Sequence, residues 1–296
     1  MEYRLENKWL SVKFQSLGGA LSSIRDKDGV EYLWQGDKKY WGGQAPVLFP
    51  ICGSLRNDQG RLKNGKKITM PRHGIVRKKE FICEEETNGS ITFCIESDEE
   101  MYAQFPFKFK LHIRYQIVGR TIKTEYRVEN RGEEKMPFFI GGHPGFQCPL
   151  FPNESYEDYR LVFEQKETCS VPIPMTETGL IDMEHRTEFL NGQNELKLSH
   201  QLFSKDAIIL DELKSKKIAV ISKNHGKEIR LDFSDFPYLI LWSSSNNGPF
   251  IALEPWSGLS TCNDEGDLFE EKRNVQYVNA YSDKKSEFQI TIIENE

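Results

Sequence analysis

Residues 110–130 read Lys-Leu-His-Ile-Arg-Tyr-Gln-Ile-Val-Gly-Arg-Thr-Ile-Lys-Thr-Glu-Tyr-Arg-Val-Glu-Asn, and the period of this stretch is two. Leu111, Ile113, Tyr115 and Ile117 alternate with polar residues, Gly119-Arg120 interrupts, and Ile122, Thr124, Tyr126 and Val128 resume the alternation. Successive side chains of an extended chain point to opposite faces, so the pattern buries one face and wets the other. Two such runs separated by a glycine-containing break predict a β-hairpin with a short loop.

Outward from this hairpin, comparable short runs occur at 90–96, 217–222, 228–233, 238–244, 250–254 and 287–293, divided by clusters of Gly, Asn, Asp, Ser or Pro. Strands in that number and spacing predict an all-β protein, a sandwich or a barrel. Helical periodicity is confined to a turn or two near 98–104 and 199–203, and strand–helix–strand alternation is missing, which disfavours a doubly wound nucleotide fold. No fixed-period repeat, low-complexity tract or linker divides the chain, so one domain is expected over residues 1–296.

The 296 residues are 38% hydrophobic and 28% charged, enough to bury a core without disulfide or metal staples. No apolar run approaches the roughly 18 to 20 residues that cross a bilayer, so no membrane association is expected. The first residues lack a basic segment followed by an apolar one, and the expected location is the cytoplasm. With 45 acidic against 39 basic residues the molecule repels a phosphate backbone, which makes nucleic acid an unexpected partner. The six cysteines form no C-x-x-C pair and are read as reduced, buried thiols.

Four segments place groups capable of acid–base work inside Gly/Pro-rich, aromatic-flanked sequence. Pro46–Asn57 is an apolar stretch that ends in Arg56, either a solvated cation after a strand or a set of fixed donors for a ligand. Met70–Arg77 holds His73 between basic residues and before Gly74, either a loop histidine or a site residue. In Pro137–Phe146 three glycines and two prolines crowd His143, so the segment is not a regular strand throughout, and its glycines allow a ligand or another backbone to approach closely. An imidazole moves protons near neutral pH, which makes His143 a candidate general acid or base, with a structural histidine as the alternative. Phe250–Gly258 delivers Glu254 beside Pro255 and Trp256; a carboxylate in apolar surroundings has a raised pKa and serves as a base, unless an arginine pairs with it structurally. Trp242 and Trp256 are candidate stacking partners for a sugar ring, or simply core. The marks of serine hydrolases, P-loop proteins, zinc peptidases and dinucleotide loops are all missing.

Taken in order, Gly18-Gly19-Ala20-Leu21-Ser22-Ser23-Ile24 with Asp28-Gly29, Arg56, His73-Gly74, Gly142-His143-Pro144 and Leu253-Glu254-Pro255-Trp256 resemble the aldose 1-epimerase (galactose mutarotase) family, nearly end to end. The resemblance implies a large antiparallel β-sandwich, the galactose mutarotase-like supersandwich, with a hexose in an open cleft and neither cofactor nor metal. It implies that Glu254 is the catalytic base, His143 the general acid, His73 a second active-site histidine, Arg56 a substrate-binding arginine and Asp206 a hydroxyl-binding aspartate. The chain departs from the family pattern in carrying Ala207 where a histidine is usual and a short Gly60–Arg72 segment.

On this reading the activity expected is interconversion of the α and β anomers of a hexose, with a bell-shaped pH profile: ionised Glu254 sets the acid limb and protonated His143 the alkaline one. Two alternatives stay open. A hexose-6-phosphate 1-epimerase would draw on Arg56, Arg61, Arg72, Arg77, Lys78 and Lys79, and a non-catalytic sugar-binding or regulatory protein would keep the cleft without turnover.

Overall fold

The computed structural model describes residues 1–294. The hairpin read from residues 110–130 is present as strands Phe109–Val118 and Thr121–Asn130, in register from Thr121 opposite Val118 to Asn130 opposite Phe109. Gly119 takes φ +59° in the two-residue turn between them, a conformation that costs glycine little. Every apolar residue of the alternating set, from Leu111 to Val128, is buried, and so is Thr124. Burying side chains of this size contributes roughly 1.5–3 kcal/mol each.

Around the hairpin grows a nine-stranded antiparallel sheet in the order Leu180–Lys197, Tyr159–Met175, Lys217–Ser222, Lys227–Asp232, Asp283–Glu294, Thr121–Asn130, Phe109–Val118, Ser90–Glu96 and Ile82–Glu86. A six-stranded antiparallel sheet lies over it, running Ile208–Leu210, Tyr238–Trp242, Phe250–Trp256, Gly141–Gly142 and Val47–Leu48, with Gly145–Gln147 also pairing to Phe250–Trp256. Aromatic contacts tie the layers together: Phe49 meets Phe109 at 4.9 Å between ring centroids. An N-terminal meander of Glu2–Glu6, Leu10–Gln15 and Ala20–Asp26 covers another part of the large sheet, with Phe14 against Tyr115 at 4.7 Å. One apolar cluster extends from Leu5 to Ile292. The fold is thus all-β, and the two helical turns read from the sequence are present as Glu99–Gln104 and His200–Phe203.

Strands Tyr159–Met175 and Leu180–Lys197 carry no clear alternation, and the sequence reading passed over them. Only residues 159–163 of the first pair with Lys217–Ser222. Beyond that the two strands form a long arm with four register shifts and many exposed side chains on both faces, so no face is apolar enough to print a period-two pattern. The arm turns back over the six-stranded sheet, where Ile181 bridges Cys262.

Candidate active site

Strand Phe250–Trp256 is buried on both faces, which explains its continuous apolar run. Alternation sends Ile251 and Leu253 into the core and places Glu254 and Trp256 on the other face. The register of the neighbouring strand sets Ile240 opposite Glu254 and Trp242 opposite Ala252, and Ile240 and Trp242 join Glu254 and Trp256 in lining a hollow of about 280 Å³. On the far side Gly141 pairs with Trp256 and Leu48, which delivers His143, two residues on, to the same hollow.

Glu254 Oε2 lies 3.3 Å from His143 Nε2 without the alignment of a hydrogen bond. Glu254 Oε2, His143 Nδ1 and Trp256 Nε1 are all buried and have no hydrogen-bond partner among the described residues. Orphaned polar atoms are rare in protein interiors because each costs desolvation, and three of them on residues that line one hollow mark a place built for a polar ligand. Burial pushes the Glu254 carboxyl well above the usual carboxylate range; Arg72 opposes this shift and Asp206 adds to it. Burial, aided by Arg72 and Arg77, pushes the His143 imidazole down to about 3. Burial therefore favours the uncharged form of each group, against the ionised Glu254 and protonated His143 that ring opening uses.

His73 is held by its own backbone. It adopts φ +70°, a left-handed conformation that costs a non-glycine residue on the order of 1–3 kcal/mol. Its N–H donates to Gly53 O at 2.7 Å, and its Nδ1 accepts from Gly53 N–H at 3.2 Å. A neutral imidazole has one acceptor nitrogen. Arg72 Nε lies 3.3 Å from Nε2, so Gly53 N–H and Arg72 compete for that one acceptor. Burial, then His143, Arg72 and Arg77, hold the His73 pKa well below that of free histidine. The following residue must be glycine: Gly74 has φ +80°, and a Cβ there would sit 2.1 Å from Phe49 O.

The glycines around His143 serve packing more than ligand approach. Gly142 makes room for Phe288 and the Tyr126 hydroxyl from the large sheet, and a Cβ on Gly145 would come 2.8 Å from Cζ3 of Trp41. Into that space Trp41 lays its indole over the His143 imidazole, with centroids 4.7 Å apart and planes 27° from parallel. Trp242 meets the same imidazole edge-on at 5.5 Å.

Asp206, at φ +106°, reaches the hollow from the loop before strand Ile208–Leu210. Arg56 does not. Its Nε pairs with Asp267 at 3.2 Å and its Nη2 donates to the carbonyl oxygens of Glu265 at 2.9 Å and Cys262 at 3.5 Å, so its donors fasten one loop to another and the expected substrate-binding role is corrected. The arginines that line the hollow are Arg72 and Arg77, which lie beside His73 in the sequence and were named there only for the hexose 6-phosphate alternative. Trp41 was missed: it sits in a turn-rich segment with no period. Among the described residues one acidic trio, Asp26, Asp28 and Glu294, has ligand-like spacing, and Lys227 Nζ is its counterion at 2.6, 3.3 and 3.1 Å. No helix among the described residues is long and apolar enough to cross a membrane.

Comparison with known proteins gives the family of the chain. The family model described as aldose 1-epimerase matches residues 1–270. Protein LacX, chromosomal, of Lactococcus lactis subsp. lactis is 51% identical over 298 residues, which cover 99% of this chain and all of the relative. A galactose mutarotase related enzyme from Lactobacillus acidophilus superposes with a TM-score of 0.93 at 29% identity, covering 99% of this chain and 98% of that one. A galactose mutarotase-like protein from Lactobacillus casei gives 0.90 at 29% identity, covering 99% and 100%. With the family model spanning most of its length and a relative at half identity end to end, the chain belongs to the aldose 1-epimerase family.

Proposed function

We propose that this protein interconverts the α and β anomers of a free hexose by acid–base opening of the ring. The observation that carries the reading is the Glu254–His143 pair at 3.3 Å, buried in a sugar-sized hollow with unpartnered polar atoms on both residues. The mutarotase-related names of the two structural neighbours support it.

Glu254, ionised, takes the proton of the C1 hydroxyl while His143, protonated, gives its proton to the ring oxygen. The C1–O5 bond breaks with its electron pair going to O5, and C1 becomes an aldehyde. Rotation about C1–C2 presents the other carbonyl face. Glu254 then returns its proton to the aldehyde oxygen and His143 withdraws the one on O5 as the ring closes. His73, neutral, positions a hydroxyl through its ring edge; Asp206 accepts from a hydroxyl; Trp242 and Trp256 flank the ring. Holding these groups in line contributes as much as the proton transfers.

Polarimetry of freshly dissolved α-glucose and α-galactose tests the proposal. Faster decay of rotation with protein than with buffer is expected for at least one sugar. Unchanged decay, with sugar affinity retained in Glu254→Gln, would point instead to a binding protein on this scaffold.

A second reading, a hexose 6-phosphate as substrate, draws on Arg72 and Arg77. Both line the hollow, and neither forms an ion pair with any carboxylate among the described residues. Paired free guanidinium groups suit a phosphate. Selectivity for the 6-phosphate that disappears in Arg77→Ala would establish this reading, and equal rates on both forms would remove it.

A further inference from the structure

The tip of the long arm closes one side of the candidate active site. Pro174, Met175 and Gly179 of the arm face Arg72, Asp206 and Trp256 across a gap of about 20 Å³, room for about one water molecule. Arg72, Asp206 and Trp256 also line the hollow that holds Glu254 and His143, so the arm and the hollow share a wall. A Cβ on Gly179 would lie 3.2 Å from Ser54 Oγ and 4.0 Å from Arg72 Nη1, which puts the tip directly beside that guanidinium. No ion pair among the described residues fixes Arg72 or Asp206, so their positions rest on what packs beside them. Asp206 keeps φ +106°, a strained conformation that persists only where its surroundings over-determine it.

The tip itself is placed by contacts that stand off the hollow. Arg186 makes a two-point pair with Asp211, at 2.7 and 3.0 Å, and donates to Ser170 O of the other arm strand at 2.9 Å. Such a pair fixes direction as well as distance, and Asp211 directly follows strand Ile208–Leu210 of the six-stranded sheet. Nearer the tip, Ile181 N–H donates to Thr261 O at 3.1 Å and Asn263 N–H to Ile181 O at 2.8 Å, while Asn263 Nδ2 donates to Asp182 Oδ1 at 3.1 Å. Arg186, Asp211 and Asn263 do not line the hollow. From these anchors and the shared wall we infer that the arm is a positioning element for the sugar site. Docked through Arg186, Asp211 and Asn263, its tip sets Arg72 and Asp206 against the sugar, whereas the six-stranded sheet places Glu254 and His143 without it. The arm's part in turnover rests on the mutarotase reading; its part in binding needs only the hollow.

The test reads binding, turnover and docking separately. Saturation-transfer NMR gives Kd for glucose, galactose and their 6-phosphates, anomeric exchange gives kcat and KM, and hydrogen exchange at the Ile181 amide reports whether the arm is docked. The proteins compared are the parent, Arg186→Glu, Asn263→Ala, and Arg186→Glu combined with Asp211→Arg. Asn263 is exposed, so its variant reads docking even if Arg186→Glu lowers stability. Faster exchange at Ile181 is expected in both single variants, with Kd and KM raised about 3- to 10-fold, the loss of one well-placed hydrogen bond, and kcat changed far less. The charge-exchanged pair is expected to restore both protection and affinity. Parent affinity in a variant whose Ile181 amide has lost protection would overturn the inference and leave the mutarotase reading standing, and so would full protection in both single variants. Binding that weakens as the arm is released, with no anomer exchange by the parent, would retain the arm's role and overturn the catalytic reading. Neither binding nor exchange by the parent would overturn both.

Discussion

His143 Nε2 and Glu254 Oε2 stand 3.3 Å apart, and the burial they share drives their proton affinities in opposite directions, up for the carboxyl and down for the imidazole. Between the two titrations the pair carries one proton. Burial favours that proton on Glu254, while the chemistry that opens the ring needs it on His143, a tautomer of identical net charge. Both tautomers rise and fall with pH together, so the reactive one is populated over the same window as the resting one.

The pH profile is therefore bell-shaped with its limbs exchanged relative to the expectation from sequence. On the acid side activity falls when His143 gains the second proton, near its depressed pKa of about 3; on the alkaline side it falls when Glu254 loses the only one. Measured kcat/KM against pH is expected to hold a plateau through pH 5, where a free carboxylate and a free histidine would place the limbs. An acid limb between pH 4 and 5 would contradict this order.

Stability and activity part company at Glu254. Its folded pKa is raised, so the folded protein binds the proton more tightly than the unfolded chain between the two values, and stability is lost as pH rises from the ordinary carboxylate value of 4.5 through the folded one. Glu254→Gln removes that penalty. Calorimetry is expected to show the variant melting higher than the parent at pH 8, by about 2–4 °C for each 1 kcal/mol relieved, with the difference closing at pH 4. Activity is expected to fall by roughly 10²- to 10⁴-fold.

Trp41 is expected to act through His143. Removing the indole in Trp41→Ala frees the imidazole it stacks on and is predicted to lower kcat by roughly 10- to 100-fold, the cost of a misplaced group. Gly145→Ala, whose new Cβ would meet the indole at 2.8 Å, is predicted to reproduce part of the loss. Unchanged kcat in both variants would remove Trp41 from the account.

Arg56 separates fold from function. Arg56→Ala breaks the contacts to Asp267 and Glu265 and is expected to cost about 1 kcal/mol of stability, since the pair is partly exposed. KM for the sugar is expected to stay at the parent value, whereas Arg72→Ala raises it. A rise in KM for Arg56→Ala with no loss of stability would reverse the assignment.

Much of this was legible in the sequence wherever one face of a strand is buried and the other is wet. Strands Ser90–Glu96 and Lys217–Ser222 have the bounds their alternation predicts, and the hairpin read at 110–130 starts one residue earlier, at Phe109. The long arm was not, because exposure on both faces leaves no alternation to read. At the site, His73, His143, Asp206, Trp242, Glu254 and Trp256 line one hollow, as the ordered motifs suggested. Arg56 was misplaced because order along the chain does not say which loop a guanidinium faces, and Trp41 was invisible because its place depends on a glycine more than 100 residues further along the chain.

The most direct test of the central claim is two-dimensional exchange NMR of the anomeric protons of glucose, galactose and their 6-phosphates at equilibrium, with the parent protein, Glu254→Gln and His143→Asn. The account predicts cross-peaks between α and β anomers above the buffer rate for at least one of these sugars with the parent protein, and the buffer rate with either variant. Exchange at the parent rate in both variants would contradict it.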